Sequence, residues 1–201
     1  MPTIANMEKV NGIVISGTPA VSDAHTLIAT QTASASATLS FTLGLDSLYD
    51  AYEFRFENMH PQTDSQDFYF QVNAAGQTGF NEVMTTAGFR AYHGEDNSGN
   101  VLEYYAAHQA NGTANQLIAS ATGSDADQAC SGVLTLYAPS STTYVKHFLA
   151  RANAANPNQT SVENHTSGYI NTTAAIDEIS FKYSAGNIDA GQIKMYGIAK
   201  A

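Results

Sequence analysis

The stretch IDEISFKYSAGNIDAGQIKMYGIA, residues 176–199, decides the fold class. Ile179, Phe181 and Tyr183 recur at every second position, with Glu178, Ser180 and Lys182 between them. That is the period of a strand with one buried and one wet face. Residues 184–191 contain Gly186-Asn187 and Gly191, which tolerate the positive φ that a chain reversal needs. Beyond them Ile193, Met195, Tyr196 and Ile198 are apolar on both faces around Tyr196-Gly197, which predicts a bulge or a deeply buried strand. The expectation is a hairpin that closes a β-sandwich.

The same alternation recurs upstream. Ala37, Leu39, Phe41 and Leu43 alternate with Thr38, Ser40 and Thr42. Tyr52, Phe54 and Phe56 alternate with Glu53, Arg55 and Glu57, and Phe68, Phe70 and Val72 share a face after the polar loop HPQTDSQD. Residues 89–93 and 101–107 read as a strand pair joined by GEDNSGN. Residues 117–119, 133–138, 144–151 and 167–171 read as further strands, with 133–138 apolar on both faces and therefore central. NAANPNQT, residues 153–160, reads as a loop, and only 81–86 or 106–116 could hold a short helix. Short strands at this spacing, rich in aromatic and β-branched residues, predict an all-β chain. The expected architecture is an antiparallel two-sheet β-sandwich of jelly-roll type, residues 35–201, preceded by an extended arm.

That arm, residues 1–34, is different in composition. It has one short apolar run, Ile13, Val14 and Ile15, and then a tract rich in Ala, Ser and Thr. Such a segment buries little by itself and is read as an arm or linker with room for two short strands. Ile4, Met7, Val10, Ile13, Val14 and Ile15 are its apolar anchors. Its dock is its own domain, a neighbouring subunit or another protein.

Bulk composition narrows the function classes. The chain has 201 residues, of which 43% are apolar, so a single self-sufficient core is expected. Only 13% are charged, about half the usual share, which suits a surface packed against copies or partners. Eight basic against 18 acidic residues give a formal charge of −10, and the basic residues are scattered. Nucleic-acid binding requires clustered cations that neutralise phosphates, so neither nucleic acid nor an anionic membrane is an expected partner. No leader pattern opens the chain and no run approaches the roughly 18 apolar residues of a membrane span, so synthesis and folding in a cytoplasm are expected. The single cysteine, Cys130, excludes an intrachain disulfide and reads as a small buried hydrophobe.

Two passages resemble structural proteins of tailed-bacteriophage particles. IANMEKVNGIVISG, residues 4–17, resembles the KVNGV-type tract near the N-termini of such proteins, where it precedes a β-rich module. LDSLYDAYEFRFENMHPQTDSQDFYFQV, residues 45–72, resembles the aromatic strand, Pro-x-Thr-Asp loop and second aromatic strand of that module. The Gly186-Asn187 turn and the closing Met195-Tyr196-Gly197-Ile198 are similar to the module's end. Residues 88–165 carry no part of the resemblance. It implies a non-enzymatic virion component: a capsid-decoration, head-fibre or tail-associated subunit, made in the host bacterial cytoplasm. Other virion proteins of the capsid or tail are the implied partners, and a homo-oligomer, with a trimer favoured, is the expected assembly. It transfers no catalytic residue and no cofactor.

Candidate chemistry was weighed residue by residue. Asp64 and Asp67, and the loop residues Glu95, Asp96, Asn97 and Asn100, could offer oxygen ligands to Ca²⁺, but Asx-type turns explain them more simply, and no metal is expected. Glu53 and Glu57 share a strand face four residues apart, too far for the shorter carboxylate spacing of glycoside hydrolysis; they read as solvent-facing partners of cations. Asp177 and Glu178 point to opposite faces. Six histidines are spread singly, and no Gly-x-Ser-x-Gly elbow is present, so no catalytic residue is assigned. Asn-x-Thr triplets at Asn111, Asn158, Asn164 and Asn171 read as coincidence. Eleven tyrosines and no tryptophan leave one rival function, a carbohydrate-binding receptor-recognition module facing a host surface glycan. Tyr92, Tyr104, Tyr105, Tyr144 and Tyr169 are its candidate contacts, against the plainer reading of cross-strand aromatic pairs.

Overall fold

Where large side chains alternate with polar ones, a strand can be covered on one face only, and two such sheets must share a core. A computed structural model of the chain describes residues 9–10, 13–14 and 24–199, and no helix occurs among them. The strands in chain order are β1 (Lys9–Val10), β2 (Ile13–Val14), β3 (His25–Thr32), β4 (Leu39–Phe41), β5 (Ala51–Pro61), β6 (Gln66–Ala74), β7 (Met84–Gly94) and β8 (Val101–Tyr104). They continue as β9 (Ala110–Gly112), β10 (Gln116–Thr122), β11 (Cys130–Tyr137), β12 (Lys146–Asn156), β13 (Thr160–Ile170), β14 (Ile176–Tyr183) and β15 (Ile188–Ile198). A large sheet of order β3-β15-β5-β11-β12-β13-β7-β8, with β9 beside β7, faces a small sheet of order β10-β6-β14-β4. All pairings are antiparallel, and the chain is an all-β sandwich.

The core is an aromatic row between the sheets. Phe54 of β5 meets Phe181 of β14 at 5.6 Å between ring centroids, and Phe68 of β6 stacks on Phe181 at 6.0 Å. Phe68 in turn touches Phe56 at 5.5 Å and Tyr183 at 5.1 Å. Phe41 closes one end against Phe54 at 5.4 Å, and Phe70 meets Phe148 at 4.9 Å further along. Rings at these separations add about 0.5–1.5 kcal/mol per pair beyond their area burial. The Tyr183 hydroxyl, buried within this row, donates to the Met59 carbonyl at 2.7 Å and so ties the small sheet to β5. Phe181 thus packs on Phe54 directly, and Tyr183 reaches Phe56 through Phe68.

The closing pair is not a hairpin. β14 pairs with β6 and β4 in the small sheet, whereas β15 pairs with β5 and β3 in the large one. Residues 184–187, with Gly186 at φ 70°, carry the chain from one sheet to the other, and the second strand begins at Ile188 rather than beyond Gly191. Gly-Asn turn chemistry dictates a reversal but not which sheet the next strand joins. Gly191 belongs to β15, at φ 115°, and a Cβ there would lie 2.6 Å from the Asn58 carbonyl, so the strand can pass β5 only with glycine at that position. The expected irregularity at Tyr196 is present as a register shift between Met195 and Tyr196 against β3.

Other differences follow from weak side-chain signals. His25–Thr32, read as arm or linker, is a full edge strand along Gln192–Ile198, so the sheet begins before residue 35. Its small Ala and Thr side chains leave little periodicity, and the ladder from β15 supplies what composition does not. The expected strand 37–43 shortens to β4. The expected loop 153–160 is mostly strand, since β12 and β13 pair from Asn156↔Thr160 to Lys146↔Ile170. The helical candidates 81–86 and 106–116 contain the start of β7 and all of β9 instead. β11 is central, between β5 and β12, as its apolar run implies. Of the proposed arm anchors, Val10, Ile13 and Val14 lie in the β1–β2 ribbon, with Lys9↔Val14 and Val10↔Ile13 in register; Ile4, Met7 and Ile15 lie outside the described residues.

Phe181 has no exposed surface and bridges both sheets. Phe181→Ala should lower the unfolding free energy by about 3–5 kcal/mol in a urea titration. A loss below about 1 kcal/mol would contradict the central place of this ring.

Candidate functional site

The outward face of the large sheet is where apolar chemistry reaches solvent. Along β12, Phe148, Ala150, Ala152 and Ala154 turn inward and His147, Leu149, Arg151 and Asn153 turn outward. The register then sets the outward neighbours: Leu149 lies between Thr135 and Ser167, and Arg151 between Val133 and His165. Across β13 the row continues from His165 to Phe89 and from Phe89 to Tyr104. Small side chains at Ala87, Thr135 and Ser167 sit among the larger Phe89, Leu102, Tyr104, Tyr137 and Leu149. The result is an open groove of about 800 Å³ with mainly apolar walls. Exposure of these large residues is high: 46% for Phe89, 72% for Leu102, 69% for Tyr104 and 53% for Leu149.

Two polar groups of the groove, Arg151 and His165, share one carboxylate beside it. The Glu163 carboxylate accepts a hydrogen bond from Arg151 Nε and lies 3.1 Å from His165 Nε2. The His165 ring stacks on Phe89 at 4.7 Å with planes 10° apart. Beyond β11 the face becomes a ladder of ion pairs. Arg55 bonds Glu53 and lies over the Tyr196 ring at 4.7 Å, and Lys194 Nζ is 3.0 Å from Glu57. Glu53 and Glu57 thus have the cation partners expected of them. The Glu53 hydrogen bond raises the Arg55 guanidinium above its usual pKa.

Of the proposed glycan contacts, only Tyr104 lines the groove. Tyr92 and Tyr105 flank the Arg90 guanidinium at 5.4 and 4.1 Å, and Arg90 also bonds Glu103 at 2.7 Å. Tyr169 packs edge-on to His147, its partner in register on β12. Tyr144 lies in the β11–β12 connection, where its carbonyl accepts from Lys146 Nζ at 3.0 Å. The five do not form one surface. Phe89, Leu149 and His165, which do, were not singled out from sequence. Their signal was available in part: Leu149 follows Phe148, so β12 is apolar on both faces at that point.

The acidic loops have structural tasks. Asp67 Oδ1 accepts from the Ala121 amide at 2.8 Å and its Oδ2 from the Tyr69 hydroxyl at 3.1 Å. Asp64 Oδ1 accepts from the Ser124 amide at 3.0 Å. Asp96 Oδ1 accepts from the Ser98 amide at 2.9 Å; the Ser98 side chain first and this amide second hold its carboxyl below the usual range, and Asn97 beside it has φ 64°. Among the described residues no group of three or more His, Cys, Asp and Glu side chains is placed to hold a metal ion. A second cleft, of about 490 Å³, is polar and includes His93, Glu95, Asp125 and Asp127. Cys130 is buried beside the Tyr183 hydroxyl, and desolvation pushes its thiol up to about 11. Lys146 is fully buried, its amine donating to the Tyr144 and Thr172 carbonyls, and desolvation lowers its pKa.

Comparison with known proteins found no matching family model, no matching characterised protein and no matching solved structure.

If Asp67 serves the fold through these two bonds, Asp67→Ala should cost about 1–3 kcal/mol in chemical unfolding. Millimolar Ca²⁺ should leave the melting temperature of the unaltered chain unchanged; a clear upward shift would restore the calcium reading.

Proposed function

We propose that the chain is a non-enzymatic structural subunit of a tailed-bacteriophage particle, a capsid-decoration, head-fibre or tail-associated protein. It attaches through the part of its N-terminal segment that precedes β3, and self-associates through the sandwich. The observation that carries the contact role is the groove on the outside of the large sheet, walled mainly by Phe89, Leu102, Tyr104, Tyr137 and Leu149. A wide exposed apolar surface of this kind marks a site of interaction in a soluble protein. The non-enzymatic reading is supported by the engagement of the candidate acids: Glu53 and Glu57 with cations, Asp64, Asp67 and Asp96 with backbone amides. The particle context rests on the resemblance of residues 4–17 and 45–72 to phage structural proteins. A jelly-roll type of sandwich belongs to the same reading and is supported by the repeated crossings between sheets, at β3 to β4, β4 to β5, β5 to β6, β6 to β7, β9 to β10, β10 to β11, β13 to β14 and β14 to β15. A trimer is the assembly this reading favours. The virion is its place, after synthesis in the host bacterium.

A second reading, a receptor-recognition module for a host surface glycan, draws on Tyr104, whose ring is exposed at the groove. It is the weaker of the two, because the groove's Arg151 and His165 are already engaged by Glu163 and its walls are mainly apolar, while a sugar would ask for free donors and acceptors.

Deleting residues 1–20 should leave a folded sandwich that no longer joins particles when it replaces the full chain during phage growth. Full occupancy by the truncated protein would overturn attachment through the arm. Binding of the truncated protein to host surface polysaccharide would favour the glycan reading in its place.

A further inference from the structure

The outward face of the large sheet differs from the rest of the molecule in charge as well as in polarity. From β15 across to β13, three carboxylates, Glu53, Glu57 and Glu163, are each set against a cation, Arg55, Lys194 and Arg151. These six charges cancel, so the formal charge of −10 is carried by other parts of the chain. Two copies that approached through those other surfaces would repel each other, whereas through this face they meet without net charge. The apolar groove lies in the same face, on the strands that continue the sheet beyond β11. Leu27 of β3, 53% exposed and in register with Tyr196, extends the apolar surface to the far edge.

The size of the face also fits. Eight strands about 4.8 Å apart span about 34 Å, and seven residues of strand span about 23 Å, so the face presents about 800 Å². That is about the area each partner contributes to a stable protein–protein interface. A glycan or a small apolar molecule would cover the groove and leave the ion-pair ladder bare.

We propose that the outward face of the large sheet is the surface through which the chain binds a second copy of itself, with the groove around Leu149 at the centre of the contact. This rests on the self-associating subunit read above and assigns that self-association to one face. Leu149 and Phe89 supply the buried apolar centre. The pairs Glu53–Arg55 and Glu57–Lys194 form the polar margin, where charges already neutralised within each copy need no partner from the other. The small sheet's outward face and the acidic loops stay in solvent.

The test is sedimentation velocity of the full chain over a wide concentration range, with three variants. The unaltered chain should sediment as an oligomer. Leu149→Glu should weaken self-association about 30-fold or more, the effect expected at the centre of an interface. Leu102→Glu, at the sheet edge, serves if Leu149→Glu does not fold. Tyr144→Glu, on an exposed loop away from the face, should associate like the unaltered chain. If the unaltered chain is an oligomer and the face variants associate equally well, the face is not the interface, and the self-associating reading stands without it. Loss of association in Tyr144→Glu alone would likewise place the contact elsewhere. If the unaltered chain is a monomer at every concentration, both the face and the reading beneath it fall.

Discussion

Phe181 is held between Phe54 on one sheet and Phe68 on its own, and the rest of the structure depends on that contact. It fixes the inner faces of β5, β6 and β14 together, and the Tyr183–Met59 hydrogen bond keeps the two sheets in one register. Hydrogen bonds within a sheet do not choose its neighbour; interlocked side chains do. Once the aromatic row is buried, strand alternation assigns every other residue of those strands to the outside. The outward row of β5, Glu53, Arg55 and Glu57, is therefore a consequence of the inward row Tyr52, Phe54 and Phe56.

The same constraint explains which parts of the fold were legible in the sequence. The strands built on Phe54, Phe68 and Phe181 could be read because large apolar residues recur at every second position in them. The partner of the last strand could not. A Gly-Asn turn reads the same whether the chain folds back within a sheet or passes to the opposite one, and the choice is made by distant partners, β6 for β14 and β5 for β15. β3 was read as part of the arm because its Ala and Thr residues fit either face of a strand. Length was underestimated in β12 and β13 because Ala152 and Ala154 look like loop residues until they are seen covering the core between the sheets.

The site was less legible than the fold. Five tyrosines were candidates, and only Tyr104 reaches the groove; Tyr92 and Tyr105 are spent on Arg90. A groove on a sheet is made by residues from four or five strands, and its membership depends on register, which no single stretch encodes. Phe89, Leu149 and His165 lie 60 and 16 positions apart in sequence and become neighbours only through the β12–β13 and β13–β7 ladders. The acidic loops were legible in kind: Asx-type hydrogen bonds from Asp64 and Asp96 to nearby amides are what turn chemistry asks for.

Taken together, the molecule separates its tasks by face. The interior is aromatic and carries the stability, the loops carry the net charge, and the outward face of the large sheet is apolar and charge-balanced. In the proposed particle subunit this face joins copies while the N-terminal segment joins the particle. Hydroxyl-radical footprinting of the unaltered chain, dilute and concentrated, tests this division directly. Protection on concentration is predicted at Phe89, Leu102, Tyr104 and Leu149, with Leu43, Leu48 and Tyr144, all exposed and off the face, oxidised equally in both. Equal oxidation of both groups at all concentrations, or protection of the loop residues alone, would contradict the account.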